Sequence, residues 1–219
     1  MSRFRDRAEA GRLLARELQH YRGDPRLLVL ALPRGGVPVG FELARSLDAP
    51  LDAFVVVKLG APGQEELAIG AIASGGLRVI NERVVREFGL DEEAIARAAA
   101  AAHPELERRE RAYRGDRGPV QVEGRTVILV DDGLATGATM RAAALALRTR
   151  NPGRLVVAVP VAAEQTCDEV REDVDEVVCA VTPEPFLAVG AWYEDFSQTS
   201  DDEVRELLER ANAEPRQAR

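Results

Sequence analysis

Two adjacent acidic residues, Asp131 and Asp132, are followed by a short loop of small and hydroxyl-bearing residues. Before them, residues 126–130 are apolar or β-branched and predict a buried strand. The loop contains glycines that permit tight turns and threonines whose hydroxyls can bind an anion together with backbone amides: Gly133, Thr136, Gly137 and Thr139. From Thr139 the pattern becomes helical, and a helix N-terminus favours an anion through its dipole and its free amides. The sequence therefore predicts a phosphate site with two carboxylates beside it.

A second anion-binding turn is predicted nearer the N-terminus. Residues 27–32 form an apolar strand, residues 33–36 read Pro-Arg-Gly-Gly, and a helix then extends to about Ser46. Such a turn offers backbone amides and one guanidinium to an anion. Both loops follow strands, and the simplest alternative is a plain strand-to-helix turn with no ligand.

Other phosphate-binding motifs fit the chain worse. No G-x-x-x-x-G-K-[ST] sequence is present, so the strand that ends in two acids lacks the partner that an ATPase would need. No G-x-G-x-x-G sequence follows a predicted strand either, which argues against a dinucleotide site.

Residues 126–140 resemble the motif that binds phosphoribosyl pyrophosphate (PRPP) in the type I phosphoribosyltransferases: four hydrophobic residues, two acids, a short loop and T-G-x-T. The resemblance implies that Asp131 and Asp132 hold the 2′ and 3′ hydroxyls of the ribose. It also implies that the 5′-phosphate binds to the loop residues Ala135, Thr136, Gly137, Ala138 and Thr139.

Residues 33–36 resemble the pyrophosphate loop of the same family, with Pro33 where bacterial xanthine-guanine phosphoribosyltransferases have serine. The resemblance implies that Arg34, Gly35 and Gly36 hold the pyrophosphate and that the Pro33–Arg34 peptide bond is cis. It further implies Mg²⁺ as the cofactor, bridging the pyrophosphate and the ribose hydroxyls. The two loops together describe a ligand with phosphate at one end and pyrophosphate at the other.

The only lysine of the chain, Lys58, follows the apolar residues 54–57, whereas the other 28 of the 29 basic residues are arginines. A guanidinium does not replace the compact, flexible ammonium group of lysine where the cation must reach a pyrophosphate oxygen. The family often has a basic residue at the end of this strand, and we therefore predict that Lys58 binds pyrophosphate. The alternative is a surface charge at the edge of a sheet.

Aromatic residues cluster after the last predicted core strand. The segment resembles one of the hypoxanthine-guanine phosphoribosyltransferases, and Phe186 or Trp192 could stack on a flat base. Asp195 would match a carboxylate near a metal. The alternative for these aromatics is a hydrophobic flap packed on the sheet.

Two departures leave the acceptor undefined. The enzymes for 6-oxopurines have an acid where this chain has Ala135, and a lysine where it has Ala162, Ala163 and Glu164. The resemblance implies PRPP-dependent phosphoribosyl transfer to a nucleobase or another nitrogen acceptor with release of pyrophosphate, and the predicted catalytic residues are Arg34, Lys58, Asp131 and Asp132. A PRPP sensor without catalysis is the alternative, and a phosphatase or phosphorylase acting on ribose phosphates is a third reading.

Composition limits the other functions. A net charge of -8 and a pI near 5.0 argue against a general nucleic-acid surface. Cys167 and Cys179 form no C-x-x-C pair, so we expect two reduced cysteines. No apolar run approaches transmembrane length, and a cytoplasmic location without membrane contact follows. The sequence does not fix the assembly state, and a homodimer stays open.

Alternating strands and helices predict one α/β domain over residues 1–219, with a Rossmann-like parallel sheet of the type I phosphoribosyltransferase kind. Its predicted strands occupy residues 27–32, 51–58, 126–130, 155–161 and 176–181. Open sheets of this kind bind ligands at the carboxyl ends of their strands, where both predicted loops lie.

An insertion over residues 59–124 is too long for a bare loop. It reads as a β-hairpin around residues 74–76, a helix over 81–88 and a longer helix over 91–114 that breaks before Pro104. The resemblance implies that this subdomain contains the flexible loop, or hood, that closes over PRPP.

Overall fold

The computed structural model describes residues 3–115, 117–118 and 120–213, with the backbone alone for residues 64–66. Its eight strands are β1 (Leu27–Ala31), β2 (Leu51–Ala53), β3 (Val56–Ala61), β4 (Gln64–Ala73), β5 (Leu77–Ile80), β6 (Thr126–Val130), β7 (Arg154–Val161) and β8 (Glu176–Val181). Its α-helices are α1 (Arg7–Glu17), α2 (Gly36–Leu47), α3 (Glu82–Glu87), α4 (Glu92–Arg114), α5 (Ala138–Arg148), α6 (Glu164–Arg171) and α7 (Asp201–Ala213).

Five parallel strands form the central sheet in the order β2-β1-β6-β7-β8. All residues of β1 and β6 are buried, as expected for strands covered on both faces. Alternate residues of β1 enter two separate cores: Leu27, Val29 and Ala31 pack with α1, α2 and α7, whereas Leu28 and Leu30 pack with α5 and α6. The predicted α/β fold with a parallel central sheet is confirmed.

The strand predicted over residues 51–58 is wrong in one respect, because the chain leaves the parallel sheet after β2. Ser74 Oγ accepts a hydrogen bond from the Val55 amide, and the Ser74 amide donates to the Val55 carbonyl. Val56 then pairs with Ala73 in an antiparallel sheet of order β3-β4-β5. Partners on the hairpin thus take over the hydrogen bonds that a longer edge strand would leave unpaired.

The insertion contains the predicted hairpin, formed by β4 and β5, and the two predicted helices α3 and α4. The break predicted before Pro104 does not occur, since α4 continues to Arg114. Leu106 and Tyr113 lie beyond the proline and are buried against the core. Their burial favours continuation of the helix despite the missing backbone donor.

The expectation of two reduced cysteines is also wrong, because Cys167 of α6 and Cys179 of β8 form a disulfide. These residues are 12 positions apart, and only the packing of α6 on β8 brings them together. None of the helices in the described ranges is both long enough and apolar enough to cross a membrane.

Candidate active site

The two acids lie at the carboxyl end of β6, where Asp131 Oδ1 accepts a hydrogen bond from the Asp132 amide at 2.8 Å. Burial raises the pKa of Asp131, and the neighbouring Asp132 charge raises it further. Burial also raises the pKa of Asp132, although its hydrogen bond with Arg7 opposes that rise. The site therefore holds two carboxylates in a setting that disfavours negative charge.

The predicted pyrophosphate loop, residues 33–36, lies in contact with the acids. A Cβ atom on Gly35 would lie 2.0 Å from Asp132 Oδ2, and one on Gly36 would lie 2.8 Å from the Val130 carbonyl oxygen. Only glycine permits this approach. The Pro33–Arg34 peptide bond is cis, as the family resemblance predicts. The two predicted loops thus lie against each other at the carboxyl edge of the central sheet.

The amides of the pyrophosphate loop differ in availability. The Gly36 amide donates to the Leu32 carbonyl at 3.0 Å, so it is already engaged. The Gly35 amide has no acceptor within the described part of the chain. The Arg34 guanidinium, with 37% of its side chain exposed, lies 4.0 Å from Asp201 at the start of α7. Of the two predicted glycine amides, Gly35 is therefore the available donor.

The predicted 5′-phosphate loop joins β6 to α5, and its residues Ala135, Thr136, Ala138 and Thr139 are exposed. Gly137 has φ +68°, the left-handed conformation that glycine adopts without strain. The first amides of α5 have no helical acceptors and are free to bind an anion. Thr166 of α6 fixes the loop from behind, since its hydroxyl donates to the Ala135 carbonyl at 2.8 Å.

Lys58 lies elsewhere than predicted. It is an exposed residue in the middle of β3, opposite Ala71 of β4, rather than at the end of a parallel strand. With Thr139 and Arg141 of α5 it lines a cavity of about 650 Å³. The ammonium group therefore shares a cleft with the start of α5, at the phosphate end of the site.

The predicted stacking residues are part of a small core. Phe186 and Trp192 are half-buried against Phe4, Val161 and Tyr193. The more accessible aromatic ring in this region is Phe196, which is 39% exposed. This arrangement favours the flap for Phe186 and Trp192, and their stacking on a base stays a prediction.

Asp195 is exposed, and its Oδ1 accepts the Ser197 amide at 2.9 Å. Among the described residues, no group of three or more His, Cys, Asp or Glu side chains could bind a metal by itself. Mg²⁺ usually binds through one or two carboxylates, water and substrate phosphates. The donors present fit an ion that binds together with a pyrophosphate.

Two residues of the site were missed by the sequence reasoning. Arg7 Nε donates to Asp132 Oδ2 at 2.8 Å, and the Tyr193 hydroxyl donates to the Asp132 carbonyl at 2.6 Å. Both are distant from Asp132 in sequence. A sequence signal existed for Arg7, which is the first residue of α1. The helix dipole favours an acid at this position, so an arginine there indicates a partner elsewhere in the fold.

The chain is similar in sequence to proteins whose names refer to phosphoribosyl transfer or to ribose phosphate. Over 212 residues it is 47% identical to a Mycobacterium tuberculosis protein named "putative phosphoribosyl transferase", covering 97% of this chain and 48% of the relative. A ribose-phosphate pyrophosphokinase of Methanopyrus kandleri is 35% identical over 144 residues, which cover 56% of this chain and 49% of the relative. The chain thus spans about half the length of the curated relatives that it matches.

The fold has a solved counterpart. A crystal structure of a Thermus thermophilus protein superposes with a TM-score of 0.84 at 43% identity, covering 94% of this chain and 97% of that chain. Residues 5–194 match the family model of the phosphoribosyl transferase domain. This match includes both anion loops, the acid pair and Arg7, and the chain belongs to the phosphoribosyl transferase family.

Proposed function

We propose that the protein transfers the phosphoribosyl group of PRPP to a nitrogen acceptor and releases pyrophosphate. The observation that carries this proposal is the contact between Gly35 and Asp132. It joins two amide-bearing loops on either side of a carboxylate pair, an arrangement that matches a ligand with phosphate, ribose and pyrophosphate in that order. The name of the Methanopyrus relative, which concerns ribose phosphate, agrees with such a ligand.

In this proposal each part of PRPP binds to a different group of residues. Asp131 and Asp132 accept hydrogen bonds from the ribose hydroxyls. The residues Ala135, Thr136, Gly137, Ala138 and Thr139 hold the 5′-phosphate at the start of α5. Arg34 and the Gly35 amide hold the pyrophosphate, while the engaged Gly36 amide serves mainly to let the loops approach.

Catalysis in this proposal is electrostatic. The bond between ribose C1 and the pyrophosphate oxygen breaks, the acceptor nitrogen forms a bond to C1, and the nitrogen releases its proton. Positive charge and amide dipoles near the departing pyrophosphate stabilise the negative charge that develops on it. Mg²⁺ bound with the substrate would add positive charge to the same oxygens. The chain needs no nucleophile for this reaction.

Besides Arg34 and Mg²⁺, the proposal includes Lys58 as a cation near the phosphates. We predicted that it binds pyrophosphate, and its cleft with Thr139 adds the 5′-phosphate as a neighbouring partner. The role of Lys58 is tested by Lys58→Arg, which keeps the positive charge and changes the shape of the charged group.

The rival function is a PRPP sensor that binds without turnover. To separate the two, pyrophosphate release from PRPP and Mg²⁺ should be measured with a panel of nucleobases and small amines. An enzyme releases pyrophosphate with at least one acceptor, whereas a sensor binds PRPP in calorimetry and releases none. The variant Asp131→Asn with Asp132→Asn is the control, since it removes both ribose contacts.

A kinase outcome belongs in the same experiment. If ATP and ribose 5-phosphate give PRPP, the chain shares the reaction named for its Methanopyrus relative and the proposed direction is wrong. If neither ligand binds, the proposed function fails altogether.

Location and assembly stay proposals as well. Two reduced cysteines would have agreed with the expected cytoplasmic location, and the disulfide removes that support, since disulfides are rare in reducing compartments. A homodimer is the simplest assembly to test. The curated relatives are about twice as long as the aligned region, so the whole protein's partners belong to the proposal too.

A further inference from the structure

Arg7 is one of the most enclosed charged side chains near the site. Its side chain is 12% exposed, and that of Asp132 is 14% exposed. Besides the bond from Nε to Asp132, its Nη1 donates to the Ser197 carbonyl at 2.7 Å. The guanidinium also lies 4.1 Å from the centre of the Phe196 ring. These contacts fix the plane of the guanidinium group.

The position of Arg7 decides which oxygen of Asp132 can meet a ligand. Oδ2 accepts from Arg7, and the backbone of Gly35 passes so close that a Cβ there would lie 2.0 Å from this oxygen. Oδ1 has no side-chain donor among the residues that the structure describes. One oxygen is therefore held by protein, and the other is left as the acceptor.

The chain segment that carries Arg7 is itself held over the site. The Phe4 amide donates to the Trp192 carbonyl at 2.8 Å, and the Glu194 amide donates to the Phe4 carbonyl at 2.8 Å. Asp6 caps α1 by accepting the Glu9 amide. Arg7 thus projects from a fixed helix start rather than from a free terminus.

We propose that Arg7 is a positioning residue, which orients the Asp132 carboxylate so that Oδ1 accepts a ribose hydroxyl. This inference rests on the proposed function, because it assigns a role within the same PRPP site. Arg7 acts through Asp132 and makes no ligand contact in this assignment. The N-terminal segment, residues 3–7, then belongs to the sugar-binding machinery.

Charge and geometry both support the assignment. Asp131 and Asp132 are adjacent in the site, and Arg7 forms an ion pair with Asp132. Lysine at position 7 would keep the charge, but one ammonium group cannot reproduce the planar contacts to Asp132, Ser197 and Phe196 together. We therefore expect charge alone to restore the function only in part.

The experiment compares Arg7→Met, Arg7→Lys and the wild type by calorimetry with PRPP and with pyrophosphate, each in the presence of Mg²⁺. Arg7→Met should bind PRPP at least tenfold more weakly, and Arg7→Lys should fall between the two. Pyrophosphate affinity should stay within twofold of the wild type, because no ribose is present to need Asp132. Arg12→Met is the matched control on the same helix, since Arg12 pairs with Glu42 outside the acid loop.

A double-mutant cycle separates positioning from general damage. In an Asp132→Asn background, Arg7→Met should weaken PRPP binding by less than twofold, because its target is already lost. Equal loss of PRPP and pyrophosphate affinity in Arg7→Met would show a merely structural role and overturn the inference. Unchanged PRPP affinity in Arg7→Met would overturn it alone, whereas a wild type that binds no PRPP would overturn the proposed function and the inference with it.

Discussion

Burial opposes negative charge on Asp131 and Asp132. Burial and the mutual repulsion raise the pKa of Asp131 above its ordinary value in the folded protein. The unfolded chain ionises the same carboxyl without that cost. Charge on Asp131 therefore destabilises the fold at neutral pH, and protonation relieves this as the pH falls through the raised pKa.

Asp131→Asn should accordingly stabilise the free protein at pH 7, by about 2–4 °C in Tm for each kcal/mol of relief. The gain should shrink as the pH is lowered, because the wild-type carboxyl then binds a proton itself. Thermal unfolding monitored by circular dichroism between pH 4 and pH 8 measures both effects. Asp202→Asn, at an exposed position of α7, is the control for loss of a carboxyl outside the site. A lower Tm for Asp131→Asn at pH 7 would contradict the argument.

Lys58→Arg tests the need for an ammonium group. Arginine is the ordinary cation of this chain, so the change should be silent if Lys58 is only a surface charge. If Lys58 serves the phosphates, turnover should fall by more than tenfold, about 1.4 kcal/mol of barrier. Steady-state kinetics with the best acceptor found would measure it. Arg78→Lys, exposed on β5 of the same small sheet, is the converse control, and an unchanged rate in Lys58→Arg would return the residue to the surface role.

Single residues were predictable where their partners are close in sequence. The acid pair and the loop after it were found from their residue types and spacing alone. The cis peptide bond was predicted from the family resemblance. Arg7 and Tyr193 were not predictable, because their role depends on contacts between distant segments. Lys58 was singled out by its type and its role stays a prediction, while its position depended on where β2 ends.

At the scale of elements, the turn between β1 and α2 must approach the loop after β6 closely. Gly35→Ala should therefore displace Asp132, whose Oδ2 lies 2.0 Å from the ideal Cβ position. We expect at least a tenfold loss of PRPP affinity in calorimetry. Gly118→Ala, where a Cβ meets no atom within 4 Å, should leave the affinity unchanged. Wild-type affinity in Gly35→Ala would mean that the two loops separate freely.

The disulfide fastens α6 to β8 behind the phosphate loop. Replacing Cys167 and Cys179 by serine should lower stability by about 2–3 kcal/mol, as expected for a bridge that closes a short loop. The wild type in reducing agent should show the same drop in Tm as the double variant. Thiol titration of the unreduced, denatured protein supplies the check, and two free thiols per chain would show that the bridge does not form.

Elements were predicted well where the hydrophobic pattern is continuous. The strands β1, β6, β7 and β8 lie within one residue of the expected ranges, since each is a largely apolar run, buried in β1, β6 and β7 and partly buried in β8. The boundary between β2 and β3 was missed, because residues 53–57 are all apolar while the chain changes sheets. An apolar run alone does not show that the chain passes from one sheet to another.

At the scale of the whole molecule, acceptor choice depends on how the hood and the C-terminal segment enclose the site. A pocket that rejects analogues strongly needs buried polar groups that match the substrate. Where 6-oxopurine enzymes have an acid and a lysine, this chain has Ala135, which is exposed, and Ala162, which is buried beside Leu134. The matched positions thus offer nothing that would recognise an oxo group.

Hypoxanthine and guanine should therefore be weak acceptors, at least a hundredfold below the best compound found, about 3 kcal/mol. Initial rates of pyrophosphate release with each base, compared across the acceptor panel, measure the difference. Adenine is a useful comparison because it lacks the 6-oxo group. Efficient conversion of hypoxanthine or guanine to its monophosphate would show that other residues supply the missing recognition.

The bridge between Phe4 and Tyr193 joins two segments that are far apart in the sequence, and it limits the order in which contacts can form during synthesis. During synthesis Phe4 emerges from the ribosome long before Tyr193. The contact between them therefore forms only when the long segment between them closes into a loop. The phosphate loops are translated before Tyr193 and Ser197 emerge. In a nascent chain, residues 33–36 and 133–139 are therefore present before Arg7 can make its contacts with Tyr193 and Ser197.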